Sequence, residues 1–251
     1  MIFYFSATGN SKYVAARIAE ATGDTAVSIP DWGEHTVSVP AGERLGIVTP
    51  DYCGGVPSVT ADFLKSTRFE LSADTELFLV VTYGNNSGAS GHIAERYLKK
   101  SSGRGFDALY SVKMPDTWTP VFDLTDANAV EAVNRAAEQE IKQIIASLQR
   151  HERGDFMRDK LSNLMALVYP PFYKALSRTK NLTVEDSCVG CGLCAQKCPV
   201  QAIELRAGKP VWVKKNCAMC LGCLHRCPQF AIQYGPNTKA HGQYRNPNVD
   251  L

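Results

Sequence analysis

The sequence has no long, uninterrupted apolar run of the kind that crosses a membrane. Its most apolar later stretch, residues 161–176, contains Pro170 and Pro171 and is shorter than the roughly 20 apolar residues that a spanning helix needs. Met1 leads directly into apolar residues, with no basic region and no cleavage site. We therefore expect neither a targeting segment nor a transmembrane segment, and we expect a cytoplasmic location.

Two nucleotide-binding motifs are also missing. Neither G-x-x-x-x-G-K-[ST] nor G-x-G-x-x-G occurs, which disfavours a triphosphate loop and a dinucleotide site. The five histidines show no spacing typical of paired metal ligands. We expect no nucleic-acid partner.

The net charge is small, but its distribution is uneven. The formal charge of +2 says little about partners. Residues 1–150 carry a net charge of −5, and residues 151–251 carry +7. The two halves can therefore attract each other or recruit different partners. A length of 251 residues is enough for two domains.

The first 150 residues alternate apolar, strand-like runs with helix-like segments. The strand candidates are residues 1–6, 25–29, 45–50, 76–83 and 109–114. The helix candidates are residues 12–21, 59–67, 91–100 and 127–149, the last with Asp126 as its N-cap. This alternation predicts an α/β domain with a parallel sheet covered on both faces. Five strands fit the doubly wound, flavodoxin-like order 2-1-3-4-5, which binds FMN at its switch point.

Three further parts follow this first domain of residues 1–150. Residues 151–180 form a basic connector with a helical apolar face, which either packs on a domain or lies at a membrane surface. The Pro170–Pro171 pair should break or kink that helix. Residues 181–235 contain an internal repeat and predict a small α+β domain. The polar tail, residues 236–251, should be ordered only if it docks on another surface.

Eight of the nine cysteines form two runs with the spacing C-x2-C-x2-C-x3-C-P. The first run consists of Cys188, Cys191, Cys194 and Cys198, and the second of Cys217, Cys220, Cys223 and Cys227. Each cysteine of the first run recurs 29 residues later, so the unit is duplicated. In a reducing compartment, clustered cysteines favour metal over disulfides.

This spacing matches the run of bacterial ferredoxins, in which the fourth cysteine of each run ligates the other cluster. The match assigns one [4Fe–4S] cluster, cluster one, to Cys188, Cys191, Cys194 and Cys227. It assigns a second, cluster two, to Cys217, Cys220, Cys223 and Cys198. Zinc and a disulfide scaffold are the alternatives, although a four-cysteine zinc site needs neither the third evenly spaced cysteine nor the Cys-Pro pair.

A short, hydroxyl-rich loop follows the first predicted strand and opens the first helix. It reads Ser6-Ala7-Thr8-Gly9-Asn10-Ser11. Its hydroxyls, its amides and the helix N-terminus can hold a phosphate without a basic side chain, and Gly9 allows the tight turn. We interpret this segment, the phosphate loop, as the site of the FMN phosphate, with an ordinary helix cap as the alternative.

The S-x-T-G-x-S pattern resembles the flavodoxin phosphate loop. With the two cysteine runs behind it, nearly the whole chain resembles the flavodoxin–ferredoxin fusion proteins of the ferrodoxin family. The resemblance implies FMN at the carboxyl ends of the strands, two [4Fe–4S] clusters and electron transfer as the activity.

Two further loops would then frame the flavin ring. They are Pro50-Asp51-Tyr52-Cys53-Gly54, continuing to Pro57, and Thr82-Tyr83-Gly84-Asn85-Asn86-Ser87-Gly88. Tyr83 is the first candidate for stacking on the ring, and Tyr52 is the second. Trp118 either covers the site or is an ordinary core or surface tryptophan. We interpret Cys53, which lies outside both runs, as a partly buried thiol with no special reactivity.

We therefore expect an intramolecular relay between FMN and two clusters, which matches one-electron to two-electron partners. The expected partners are redox proteins. One alternative is an FMN-dependent reductase of a small-molecule acceptor such as a quinone, nitro compound or enone. Another is an electron-carrying subunit of a larger complex.

Overall fold

The computed structural model describes residues 1–157 and 163–251. Its strands are β1 (Ile2–Tyr4), β2 (Ala26–Ser28), β3 (Thr36–Val39), β4 (Arg44–Pro50), β5 (Arg68–Leu71), β6 (Glu76–Tyr83), β7 (Ala108–Lys113), β8 (Gly154–Asp155), β9 (Leu182–Val184), β10 (Ile203–Arg206), β11 (Lys209–Trp212) and β12 (Ile232–Tyr234). Its α-helices are α1 (Asn10–Thr22), α2 (Ser58–Ser66), α3 (Ser90–Ser102), α4 (Ala127–Gln149), α5 (Asn163–Leu176), α6 (Leu193–Gln196), α7 (Gly222–His225) and α8 (Thr238–His241). Two 3-10 turns cover Ile29–Asp31 and Thr179–Asn181.

A six-stranded parallel sheet has the order β2-β1-β4-β6-β7-β8. Its first five strands are the predicted ones, and they take the predicted order 2-1-3-4-5. The sixth strand, β8, is only two residues long and pairs with Ala108 and Leu109 of β7. The sheet therefore has one strand more than the five predicted. The sixth was not predicted because the two exposed residues of β8 do not form an apolar run. A separate parallel pair, β3 with β5, was not predicted either.

Helices cover both faces of this sheet, as a parallel sheet requires. On one face, α1 and α4 bury Ile18 and Ile141 against alternate strand residues such as Phe78. On the other face, α2 and α3 bury Leu64 and Ile93. All eight residues of β6 are buried, so this strand lies at the centre of the domain.

The longest helix begins where the sequence places it. The carboxylate of Asp126 accepts hydrogen bonds from the backbone N–H groups of Asn128 and Ala129, both at 3.0 Å. These are donors that the first turn of a helix leaves without partners, so Asp126 is the N-cap of α4.

A break or a kink was expected at Pro170 and Pro171. The connector helix α5 runs through both residues, so it has no break there. Tertiary contacts hold the helix on both sides of the pair. The Tyr169 hydroxyl donates to the carbonyls of Tyr52 at 2.9 Å and Val56 at 3.0 Å, and the Tyr173 hydroxyl donates to the Ala218 carbonyl at 2.6 Å. Residues 161 and 162 of the predicted apolar stretch lie outside the described residues. None of the helices in the described ranges combines the length and apolar character of a membrane span.

The second domain is a small α+β unit. It contains two antiparallel strand pairs, β9 with β12 and β10 with β11. The four-residue helices α6 and α7 each carry the third cysteine of a run. Leu221, Leu224 and Ile232 form its core, and Trp118 of the first domain packs against this core.

The tail is ordered and docks back on the rest of the chain. Thr238 of α8 has none of its surface exposed, and Asn246 has only 2%. The tail was expected to be ordered only if it docks on another surface, and it does dock on the rest of the chain.

Candidate functional site

A cavity of about 390 Å³ lies at the carboxyl ends of β1, β4, β6 and β7. All three loops predicted to frame the flavin contribute to its wall. Their lining residues are Ser6, Ala7, Thr8, Asn10, Ser11, Pro50, Asp51, Tyr52, Cys53, Gly54, Thr82, Tyr83, Gly84 and Asn85. Trp118 also lines this space, which we call the flavin cavity.

Two predicted residues do not line the flavin cavity and instead shape its loops. Gly9 has φ +99° at the N-cap of α1, and a Cβ there would lie 2.8 Å from the Cβ of Asn246. Gly88 has φ +55°, and a Cβ there would collide with the backbone of Gly54. Both positions therefore need glycine, because the backbone is left-handed and the neighbouring chain is close.

The phosphate loop is tied to the loops that follow the neighbouring strands. Within the loop, the Gly9 N–H donates to Ser6 Oγ at 3.1 Å. Ser11 Oγ lies 2.8 Å from Thr82 Oγ1, and Asn10 Nδ2 donates to the Pro115 carbonyl at 3.2 Å. The loop thus opens on the same cavity as the ends of β6 and β7.

The two ends of the flavin cavity differ in chemistry, and the difference suits FMN. The phosphate loop supplies hydroxyls, amides and the N-terminus of α1, which together attract an anion. The aromatic residues Tyr52, Tyr83 and Trp118 supply flat apolar surface for a ring. Tyr83 is 6% exposed, and the Trp118 ring packs against Tyr234 of β12 with centroids 5.2 Å apart.

Two carboxyl groups, those of Asp51 and Asp116, line the flavin cavity, and no sequence pattern links them. Asp51 accepts hydrogen bonds from Ser90 Oγ at 2.5 Å and from the Gly54 N–H at 2.9 Å. Burial raises the pKa of Asp51 to about 7 against the lowering effect of these two bonds, and the charge of Asp116 raises it further. Burial also raises the pKa of Asp116. The only signal for Asp116 was its position just after the fifth predicted strand.

Cys53 is an exposed residue with a left-handed backbone, φ 57°. Partial burial of its thiol raises the pKa to about 11, and the charges of Asp51 and Asp116 add to this. A thiol of this pKa stays protonated at neutral pH, so its nucleophilic form is scarce.

The eight repeat cysteines line two separate cavities. The smaller one is lined by Cys188, Cys191, Cys194 and Cys227. The larger one, of about 320 Å³ between the domains, is lined by Cys198, Cys217, Cys220 and Cys223. In each cavity, three cysteines of one run lie with the fourth cysteine of the other run. All nine cysteines are free thiols, and within the described ranges no three His, Cys, Asp or Glu side chains converge on a single-ion site.

Backbone amides point at several of the cysteine sulfurs. The Ala202 N–H donates to Cys198 Sγ at 3.2 Å, and the Ala231 N–H donates to Cys227 Sγ at 3.3 Å. These two bonds are equivalent in the 29-residue repeat. Hydrogen bonds to the sulfurs are one of the means by which a protein sets a cluster's reduction potential.

The flavin cavity and the larger cysteine cavity share a wall. Met219 and Cys220 line both cavities, as do Ser6 and Ala7 of the phosphate loop. The opposite charges of the two halves favoured a cluster domain that lies over the first domain near the flavin. Sequence reasoning did not identify the residues of this contact, because they belong to segments more than 200 residues apart that follow no common pattern.

Comparisons with known proteins agree with this division of the chain. The family model of the flavodoxin domain matches residues 1–143, and that of the 4Fe–4S dicluster domain matches residues 187–232. No curated protein matches the chain.

Three solved structures illustrate the weaker structural likenesses. The rubredoxin oxygen:oxidoreductase of the anaerobe Desulfovibrio gigas is 16% identical, with a TM-score of 0.33, over 58% of this chain and 36% of its own. A short-chain flavodoxin associated with a non-canonical PDU bacterial microcompartment is 16% identical, with a TM-score of 0.32, over 57% and 95%. The Trp repressor binding protein of Bacillus subtilis is 15% identical, with a TM-score of 0.30, over 54% and 97%. Likenesses this weak carry no argument about function.

The predicted flavodoxin–ferredoxin fusion is therefore confirmed by the two family matches, and its cofactors are FMN and two [4Fe–4S] clusters. The chain belongs to the flavodoxin-domain family, and it carries a 4Fe–4S dicluster domain behind the flavodoxin domain.

Proposed function

We propose that this chain relays electrons between a redox protein and FMN, through cluster one and then cluster two. The observation that carries the proposal is the shared wall. Cys220, a proposed ligand of cluster two, lines the flavin cavity together with Met219. An electron therefore needs no further protein layer between cluster two and the flavin. FMN exchanges one or two electrons, whereas each cluster exchanges one, so the chain can match partners of both kinds.

The proposed ligand sets follow the two cysteine cavities. Cys188, Cys191, Cys194 and Cys227 hold cluster one, and Cys198, Cys217, Cys220 and Cys223 hold cluster two. The phosphate loop holds the FMN phosphate, and Tyr83, with Tyr52 as second choice, packs on the ring. Trp118 covers the site from the domain interface. Burial raises the pKa of Tyr52 well above its ordinary value, and the nearby Cys220 raises it further.

Cluster one is the proposed contact point for the redox partner. Cys191 is exposed, and the neighbouring Val189 is 65% exposed. In this proposal residues 1–150 bind the flavin, and residues 181–235 bind the clusters. Residues 151–180 connect the two domains, and the tail, residues 236–251, docks on both. We infer a cytoplasmic setting, in which thiols stay reduced until a cluster is inserted.

The test is anaerobic purification followed by rapid reduction. We expect iron, acid-labile sulfide and flavin in the ratio of two [4Fe–4S] clusters and one FMN per chain. When reduced ferredoxin is mixed with the protein, cluster absorbance should bleach before flavin absorbance. A flavin that stays oxidised while both clusters are reduced would contradict the relay.

The carboxyl pair supports a second candidate function, an FMN-dependent reductase of a small acceptor. Reduction of an enone or a quinone consumes protons as well as electrons, and Asp51, with a pKa of about 7, can donate a proton into the flavin cavity. The test is turnover of enone, nitro and quinone acceptors with reduced ferredoxin as donor. Turnover that falls in Asp51→Asn, while flavin content is unchanged, would favour the reductase. Absence of turnover with all three classes would exclude these acceptors.

A further inference from the structure

The outer side of the phosphate loop is held by residues from the far end of the chain. Where loop amides turn toward an anion, the carbonyls of the same loop turn away and need other partners. Arg226 Nη2 donates to the Ser6 carbonyl at 3.0 Å, and Arg226 Nε donates to the Ala7 carbonyl at 2.9 Å. The Asn246 N–H donates to the Thr8 carbonyl at 2.7 Å. Three successive loop carbonyls are therefore satisfied from outside the flavodoxin domain.

The tail also fixes a side chain of the loop. Asn10 Oδ1 accepts hydrogen bonds from the Tyr244 hydroxyl at 3.0 Å and from Asn246 Nδ2 at 3.1 Å. All three residues are buried. Because Asn10 Nδ2 is bound to the Pro115 carbonyl, the whole amide group is held in one orientation at the start of α1.

The same tail segment is bound to the second cysteine run. Gln243 Nε2 donates to the carbonyls of Leu224 at 2.6 Å and Cys227 at 2.9 Å. The Tyr244 N–H donates to His225 Nδ1 at 3.1 Å. Arg226 lies between His225 and Cys227 in sequence, so one short stretch of chain contacts the cysteine cavities, the tail and the phosphate loop.

We propose that Arg226 and the tail residues Tyr244 and Asn246 are positioning residues of the FMN phosphate loop, so that FMN binding is coupled to the docked ferredoxin domain and tail. The proposal rests on the phosphate loop being the FMN site. None of the three residues needs to touch the phosphate; they fix the carbonyl side of the loop, so that its amides face the cavity. Coupling of this kind is reciprocal, so bound FMN must also stabilise the docked tail.

The first experiment measures the dissociation constant of FMN with the full chain, depleted of flavin but retaining its clusters. Arg226→Met removes two loop bonds and keeps much of the side chain's apolar stem. We expect it to raise the dissociation constant at least about tenfold. Arg226→Lys, which can still reach one carbonyl, should recover part of the affinity. Arg206→Met is the control, since Arg206 is exposed and its ion pair, within the part of the chain that the structure describes, is with Glu204.

A milder variant covers the case in which Arg226→Met loses cluster content. Tyr244→Phe removes one hydroxyl, and we expect about a threefold rise in the dissociation constant. Its control is Tyr110→Phe, which removes a buried hydroxyl bonded to Ser147 far from the loop. The Tyr244 hydroxyl also lies 3.2 Å from Asn134 Oδ1, so Asn134→Ala separates the loss of that bond from the loss of the bond to Asn10. Iron and sulfide are quantified in every variant, so that the comparison is made between chains with intact clusters.

The second readout is amide hydrogen exchange with and without FMN. Residues 243–250 should become more protected when FMN binds, whereas the strand Thr36–Val39, which pairs with Arg68–Leu71, should not change. Equal FMN affinity in Arg226→Met, Tyr244→Phe and their controls, with no added protection of the tail, would overturn the positioning role. Failure of the unaltered protein to bind FMN at all would instead overturn the flavin part of the proposed function.

Discussion

The two cysteine cavities have the same ligand spacing but different surroundings. The cavity proposed for cluster one is lined by Val189 and Cys191, which are both exposed. The cavity of cluster two lies between the domains, where its loop residues Met219 and Leu221 are each 4% exposed. The duplicated sequence thus gives the two sites the same cysteine spacing, while the tertiary contacts make their surroundings different. In the proposed relay, cluster one exchanges electrons with the partner protein, and cluster two exchanges them with the flavin.

The largest expected effect comes from removing one ligand on each side of this comparison. Cys220→Ser should lose cluster two and slow flavin reduction by reduced ferredoxin at least about 100-fold, because ligand loss costs more than the 10–100-fold typical of outer-shell changes. It should also shift the flavin reduction potential, because an anionic cluster no longer lies beside the cavity. Stopped-flow absorbance and a redox titration measure the two effects.

Cys191→Ser is the counterpart on the exposed side. It should slow reduction by the protein donor as well, but it should leave the flavin potential unchanged because cluster one is not next to the flavin cavity. Equal shifts of the flavin potential in the two variants would mean that the two cavities do not differ as their surroundings indicate.

The next effect is a pH dependence confined to the flavin side. The folded pKa of Asp51 is raised to about 7 from its ordinary value of 3.8, so the folded chain binds a proton more tightly than the unfolded chain. The contribution of Asp51 to the free energy of unfolding therefore falls as the pH rises from about 4 toward 7. Asp51→Asn should reduce this fall in the midpoint of thermal unfolding by a few degrees. The flavin-free chain is the sample for this measurement. Asp62→Asn, a change at an exposed position of α2, is its control. An unchanged pH profile in Asp51→Asn would contradict the raised pKa.

A smaller effect should follow from changing the exposed rim of cluster one. Val189→Ser removes an apolar contact surface and should slow electron transfer with a protein partner several-fold. Its effect on stability should stay within about 0.5 kcal/mol, because the side chain is exposed. Rates measured with reduced ferredoxin and with dithionite separate the two contributions, since a small reductant needs no docking surface. A similar slowing with both donors would argue against a docking role.

The smallest expected effect is a loss of stability alone, and it serves as the baseline for the other variants. Asp126→Ala removes the N-cap of α4 and should cost about 1 kcal/mol of stability. For a chain of this size that corresponds to a fall of about 2–4 °C in the melting midpoint. Cofactor content and flavin potential should not change. If they do, general destabilisation contributes to the effects expected of the other variants.

Local patterns in the sequence were enough to predict most of the fold. The strands and their parallel pairing follow from apolar runs alternating with helices, and the strand order follows from matching five such strands to the flavodoxin-like fold. Asp126 caps α4 because it immediately precedes an Ala-rich helical segment. β8 was missed because Gly154 and Asp155 have no strand pattern of their own. A break or a kink was expected in α5 because Pro170 and Pro171 remove backbone hydrogen bonds. The helix nevertheless continues, and the hydrogen bonds of Tyr169 and Tyr173 that hold it are long-range, so no local pattern predicts them.

The candidate site was predictable loop by loop but not as an assembly. The three flavin loops and the cysteine quartets follow from motifs, and the structure brings both sets together around cavities. Asp116, Arg226 and Asn246 were not found, because each acts on a partner that is distant in sequence. No periodicity or spacing in the sequence encodes the contact of Arg226 with Ala7.

The contacts on the phosphate loop also set an order of assembly during synthesis. The loop leaves the ribosome well before its carbonyl partners, Arg226 and Asn246, which lie more than 200 residues later in the chain. At about 5–20 residues per second, that delay is on the order of 10–40 seconds. The flavodoxin sheet can therefore form well before its cofactor loop reaches the final shape. High-affinity loading of FMN should therefore follow the synthesis and docking of Arg226 and Asn246.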